Sequence, residues 1–175
     1  MLAKHIREAF DATKADKGYF HEYEHMYSLV FSSIELKSLL EIGVREGASI
    51  KSWRMLFPDS YIVGMDIEPC NIENCITGDS TKFDTTSLNN FDVIVDDGSH
   101  RCRDQIATFL NFKDKFNYFY IIEDVNYTQF NEPDPDVMVK RIVEVIKDNG
   151  FNHIAVFDSQ NNVKKAKAIL VIRSC

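Results

Sequence analysis

The stretch FDVIVDDGSH at residues 91–100 decides how this chain is read. Its first half is apolar and β-branched, the composition of a strand buried on both faces. It ends abruptly at Asp96 and Asp97, and His100 follows three residues after the second of them. A second run, YIIEDV at residues 120–125, likewise runs into Glu123 and Asp124. Four acids at the ends of two buried strands are costly unless a cation accompanies them. In an open α/β sheet, ligands bind outside the C-terminal ends of the strands. The two runs therefore point to a parallel sheet that carries a metal site with a base beside it. A plainer role is helix capping by Asp97 or Ser99 ahead of a helix from Arg101, but one cap does not account for four acids.

Carboxylate-only sites suit Mg²⁺, Ca²⁺ or Mn²⁺, and Mg²⁺ usually keeps positions open for water or substrate. The cysteines, Cys70, Cys75, Cys102 and Cys175, form no C-x-x-C pair for structural zinc. Read as unclustered, and with no secretory signal, they predict a reducing, cytoplasmic setting. The first ten residues, MLAKHIREAF, are amphipathic and charged, unlike a signal peptide or a membrane span. A net charge of −7 argues against a general nucleic-acid binder, which needs a basic stripe. The length of 175 residues favours one soluble domain.

Working outward, LLEIGV at residues 39–44 reads as a first strand and residues 47–57 as its helix, stopped by Pro58. YIVGMDI at residues 61–67 is the second strand, residues 74–78 a short third, and residues 91–96 the fourth. A helix over residues 101–116, a strand over 118–123 and a helix over 137–149, ended by Gly150, come next. Residues 153–157 and 168–173 flank a polar turn at residues 160–165 and read as an antiparallel hairpin. Helical patterns over residues 2–15 and 23–31 precede the first strand. The alternation predicts an α/β, doubly wound, Rossmann-like sheet of seven strands, mixed because of its C-terminal antiparallel hairpin. It divides into a helical cap, residues 1–36, on a catalytic core, residues 37–175. The acidic, proline-bearing stretch TQFNEPDPD at residues 128–136 reads as a flexible loop.

The loop after the first strand, EIGVREGAS at residues 41–49, has G-x-x-x-G spacing. This is neither the dinucleotide fingerprint nor a Walker loop. Gly43 and Gly47 allow a tight turn and close approach to a ligand. A sulfonium cofactor carries no phosphates and needs no phosphate cradle. Asp66, at the end of the second strand, is placed to accept ribose hydroxyls, and Asp79, after the third, to reach an adenine amino group. Glu41 and Ser49 complete the set of residues assigned to an adenosine ligand.

The order EIGVREGAS, GMDIEP, GDS, FDVIVDDGSH and YIIEDV resembles the class I S-adenosylmethionine-dependent methyltransferases. Within them it is most similar to the metal-dependent sugar O-methyltransferases of macrolide and aromatic-polyketide biosynthesis, the mycinamicin and macrocin type. That set overlaps sequences labelled cephalosporin-hydroxylase-like. ADKGYFHEY at residues 15–23 also matches the D-K-G…H-x-Y pattern common before the first strand. The resemblance covers roughly residues 16–125 and implies Asp97, Glu123 and Asp124 as ligands of Mg²⁺ (or Mn²⁺), and His100 as general base. It sets Asp96 nearer the methionine portion of S-adenosyl-L-methionine. Larger members carry an N-terminal substrate domain with no counterpart here, and Lys115-Phe-Asn-Tyr118 replaces the usual Gly-Gly.

The expected reaction is O-methylation of a small hydroxylated acceptor, a sugar or another vicinal diol. The expected partners are that small molecule and no nucleic acid or membrane; a homo-oligomer is compatible with the sequence. Three other readings stand beside it. A metal-dependent hydroxylase would usually want two histidines and one carboxylate. A nicotinamide dehydrogenase is disfavoured by the glycine spacing. A non-catalytic cofactor- or sugar-binding module would keep the fold without the chemistry. His100 can also be a packed helix-start histidine, and His21 either a site residue or a surface one. Tyr23 and Tyr27 read as core or lid aromatics, Trp53 as packed beneath the sheet, and Lys164, Lys165 and Lys167 as solvated turn residues.

Overall fold

The computed structural model describes residues 1–19, 21–125, 134–158 and 166–174. Three helices come first: α1 (Leu2–Thr13), α2 (Asp16–Tyr19) and α3 (Glu24–Ser32). Then follow β1 (Ser38–Ile42), α4 (Ala48–Leu56), β2 (Tyr61–Asp66), β3 (Cys75–Thr77), a 3₁₀ turn at Thr85–Ser87 and β4 (Phe91–Asp96). The chain continues through α5 (Cys102–Phe112), β5 (Phe116–Val125), α6 (Pro135–Asp148), β6 (His153–Asp158) and β7 (Lys167–Ile172). The loop expected at residues 128–136 lies mostly outside the described residues, as do the 160–165 turn, Lys164 and Lys165.

The seven strands form one sheet in the order β3-β2-β1-β4-β5-β7-β6. Strands β1 to β5 pair in parallel, and β7 lies antiparallel between β5 and β6. The strand order reverses direction between β1 and β4, the kind of crevice where ligands bind in open α/β sheets. Alternation along each strand sorts the core into two layers. Leu39, Val93 and Ile121 face a layer shared with Phe10, Tyr27 and Trp53, so the first helices share a core with this face of the sheet. Leu40, Ile94 and Ile122 face the other layer with Phe109 and Met138, under α5 and α6.

Several boundaries move for local reasons. Helix α5 ends at Phe112, and Lys115 donates its backbone N–H to the Phe112 carbonyl. Phe116 is then free to start β5 opposite Phe91 and to bury its ring against Tyr120 and Phe151. Apolar periodicity alone carried the expected helix four residues too far. Helix α6 starts earlier than expected, at Pro135, because Asp134 accepts from the Asp136 N–H and a proline suits the first helical position. Cys70 and Cys75 are not separate thiols: they pair as a disulfide that ties the β2–β3 loop to the start of β3, while Cys102 is buried. The reading of all four as unclustered fails on that pair. Among the described residues, no helix is long and apolar enough to cross a membrane.

Candidate cofactor and metal site

Backbone geometry concentrates the acids at one end of the sheet. Glu41 on β1 follows the alternation of Leu39 and points toward the first helices. Consecutive residues of a regular strand point to opposite faces, so Glu123 and Asp124 should diverge. They do not, because Asp124 adopts φ +50° and the β5–β7 register shifts between Ile122 and Val125. Ile121 lies in the first core layer, while Ile122 and Val125 both lie in the second, which marks the slip in alternation. This bulge turns both carboxylates toward the N-terminal helices.

Those helices answer with polar groups. Lys17 on α2 extends its ammonium to Asp97 Oδ2 at 2.6 Å, to Glu41 Oε1 at 3.1 Å and to Glu123 Oε2, with a side chain only 1% exposed. The Tyr27 hydroxyl donates to Glu123 Oε1, and the Tyr23 hydroxyl to Asp124 Oδ1 at 2.9 Å. His21 stacks on Tyr23 and places Nδ1 3.2 Å from the same Asp124 oxygen. His21 is therefore a buried neighbour of the site, and Tyr23 and Tyr27 are core aromatics that also hold acids. Trp53 packs between Phe10, Tyr27 and Phe31 and donates from Nε1 to Glu41 at 3.2 Å.

His100 has φ +58° just before α5, and its Nε2 stands 3.0 Å from Asp97 Oδ1. One oxygen each from Asp97 and Asp124 and a ring nitrogen of His100 all lie within 4.8 Å of one another. Asp97 does not cap α5. Ser99 takes a partial capping role, accepting from the Arg101 N–H at 3.3 Å and donating to Asp104 at 2.8 Å. The sequence-assigned ligands therefore divide: Asp97 and Asp124 converge with His100, while both oxygens of Glu123 are held by Lys17 and Tyr27.

The electrostatics follow from crowding. Burial works to raise Asp97, but Lys17 and His100 outweigh it and hold its carboxyl well below the usual range. Burial opposes the His100 imidazolium, but Asp97, Asp124 and Asp96 prevail and lift it to about 8. Burial pushes Glu41, Glu123 and Asp124 upward despite their cationic neighbours. Asp96 points to the opposite face of the sheet, where it accepts from the Gly98 N–H and the Tyr120 hydroxyl, each at 3.3 Å. Burial there raises it to about 7.

On the cofactor side, Gly43 has φ +87°, and a Cβ on it would stand 2.1 Å from the Asp97 carbonyl oxygen. Only glycine lets β1 and β4 end so close together. Gly47, at φ +77°, caps α4 beneath Ile72. Asp66 Oδ2 accepts from the N–H groups of Val44 and Arg45 at 2.8 and 2.7 Å, so this acid holds the glycine loop in place. Ser49 donates to Glu41 at 2.8 Å, and both are buried beneath the loop. Asp79 closes a turn onto Thr81 and pairs with Lys82, contacts that lower its pKa. A cavity of about 320 Å³ lined by Asp114, Phe151 and Arg173 lies at the opposite end of the sheet, away from these groups.

No protein-family model matches the chain, and comparison with curated proteins finds no match. Solved structures do match. MycE, a methyltransferase of the mycinamycin biosynthetic pathway in complex with Mg and SAH, superposes with a TM-score of 0.76 at 20% identity, over 95% of this chain and 54% of that one. This chain thus spans about half the length of MycE. TomG, an O-methyltransferase of Streptomyces achromogenes involved in tomaymycin synthesis, matches in complex with SAM with a TM-score of 0.63 at 15% identity, over 99% and 90% of the two chains. The Bacillus cereus O-methyltransferase in complex with SAH matches with a TM-score of 0.62 at 16% identity, over 97% and 91%. The seven-stranded order, the antiparallel β7 and these superpositions agree: the chain has the class I S-adenosylmethionine-dependent methyltransferase fold.

Proposed function

We propose that this protein transfers a methyl group from S-adenosylmethionine to a hydroxyl of a small polyhydroxylated acceptor, assisted by a divalent cation. The observation that carries the reading is the convergence of Asp97, Asp124 and His100 within 4.8 Å, beside the glycine loop of a methyltransferase fold. Two carboxylates at that spacing suit Mg²⁺ or Mn²⁺, with the imidazole beside them as base. Asp97 and Asp124 would hold the ion, with Glu123 as the third carboxylate.

The sulfonium supplies an activated methyl, and the cation lowers the pKa of a nearby hydroxyl. The chain's own groups do the rest. Gly43 and Gly47 let the loop backbone approach the cofactor, and Asp66 fixes that loop while offering an acceptor to the ribose. His100, oriented by Asp97, takes the hydroxyl proton as the oxygen forms its bond to the methyl carbon. Bound there, S-adenosylmethionine would give up its methyl, keep the electron pair of the C–S bond on sulfur and leave as neutral S-adenosylhomocysteine. Aligning oxygen with methyl carbon is the main service such a site provides.

A second reading has a specific basis. His100 lies within the cluster of ligand atoms, and an imidazole in the coordination sphere would favour a transition metal such as Zn²⁺ or Fe²⁺ over Mg²⁺. His100→Ala separates the two. A base leaves calorimetric cofactor and cation binding intact while single-turnover methyl transfer falls roughly 10²–10⁴-fold. A ligand loses cation binding along with the rate. Failure of wild-type protein to bind S-adenosylmethionine would overturn both.

A further inference from the structure

Lys17 is the one basic side chain, among the described residues, buried against three carboxylates of the candidate site. Its partners stand on neighbouring strand ends: Glu41 on β1, Asp97 just beyond β4 and Glu123 on β5. Its ammonium hydrogen-bonds to Asp97 and Glu123 and stands 3.1 Å from Glu41 Oε1 as an ion pair. It holds one oxygen of Glu123, and the Tyr27 hydroxyl holds the other.

We propose that Lys17 is a resident counter-ion that competes with the divalent cation for Asp97 and Glu123, and so sets how tightly the ion is held. This rests on the cation-assisted reading above. A dication drawing on Glu123 must displace the ammonium from it, and one that leaves Glu123 alone binds beside a fixed positive charge. Either way the lysine weakens the ion. Like charges a few ångströms apart repel strongly where water is scarce. Lys17 also carries the first helices to the strand ends, which makes it a positioning residue rather than a catalytic one.

The test is Mn²⁺ titration of the full chain, followed by water-proton relaxation. Lys17→Met should bind Mn²⁺ at least about tenfold more tightly than wild type, by removal of that repulsion. Lys17→Arg, which keeps the charge, should bind Mn²⁺ less tightly than Lys17→Met. A merely structural lysine gives the opposite sign, because its loss loosens the ligands. If wild type binds Mn²⁺ and Lys17→Met binds it equally or less tightly, the competition is overturned while the cation site stands. If neither protein takes up Mn²⁺, the cation reading falls and this one with it. Should Lys17→Met fail to fold, wild-type protein with ¹⁵N-labelled lysine still decides. The Lys17 ammonium resonance, assigned through Lys17→Arg, should move on saturation with Mg²⁺, and an unmoved resonance overturns the proposal.

Discussion

Lys17 and Glu123, 106 positions apart, form an ion pair in which each side chain is only 1% exposed. A pair this deeply buried gains little over an apolar substitute of the same shape, whereas removing one partner strands the other. Such a pair is weak grounds for stability, and its placement at the strand ends ties it to the chemistry of the site.

The Tyr27 hydroxyl is tied to the same acid. Tyr27→Phe should destabilise the fold by about 1–3 kcal/mol, the cost of leaving a buried acceptor without its donor. Urea denaturation of the two proteins checks this, and an unchanged midpoint would mean that Glu123 finds another donor.

Gly43→Ala should be far more damaging than an ordinary glycine replacement. Its Cβ would stand 2.1 Å from the Asp97 carbonyl oxygen, at a backbone φ of +87°. Loss of several kcal/mol is expected, since both clash and backbone strain act together. Gly150, at φ +90°, has nothing within 4 Å of such a Cβ and serves as the control for strain alone. Equal melting temperatures for the two alanine variants would contradict the close approach of β1 and β4.

Asp66→Ala should loosen the glycine loop, because Val44 and Arg45 lose the oxygen that accepts their N–H groups. Cofactor affinity should fall by about 1–3 kcal/mol. Calorimetry with S-adenosylmethionine measures this, and undiminished affinity would remove Asp66 from the cofactor site.

Asp96 gives a pH dependence with a definite sign. Its folded pKa, about 7, lies above the ordinary 3.8, so the folded state holds a proton that the unfolded state has released. The stability this contributes is full below pH 3.8 and is lost as pH rises through about 7. The slope is about 1.4 kcal/mol per pH unit between those limits. Asp96→Asn should flatten that limb of a stability-against-pH curve. A limb of unchanged slope in the variant would assign the titration to another group.

How much of this was legible in the sequence depends on range. The strand ends at Asp96 and Asp97 and at Glu123 and Asp124 announce themselves, because acids that stop an apolar run are conspicuous. So does the antiparallel ending, from two apolar runs around a polar turn. The bulge at Asp124 has no local signal: nothing in IIEDV says that two adjacent acids will face one way. Lys17, Tyr23 and Tyr27 were equally hidden as site residues, since their partners lie about a hundred positions away. The D-K-G pattern marks Lys17 as a motif residue but does not say what it touches. Cys70 and Cys75 carry no C-x-x-C signature, and their pairing shows only in the fold of the loop that leads into β3.

Methyl transfer from S-adenosylmethionine by this chain should depend on a cation held by Asp97 and Asp124. The most direct measurement follows a labelled methyl group from the cofactor into a panel of sugars and vicinal diols, in Mg²⁺ and in EDTA, for wild type and Asp97→Asn/Asp124→Asn. Wild type in Mg²⁺ should give a labelled O-methyl product, with a loss of roughly 10²-fold or more both in EDTA and in the double variant. Transfer that proceeds undiminished in EDTA and in the double variant, or no transfer to any acceptor by protein that binds the cofactor, would contradict it.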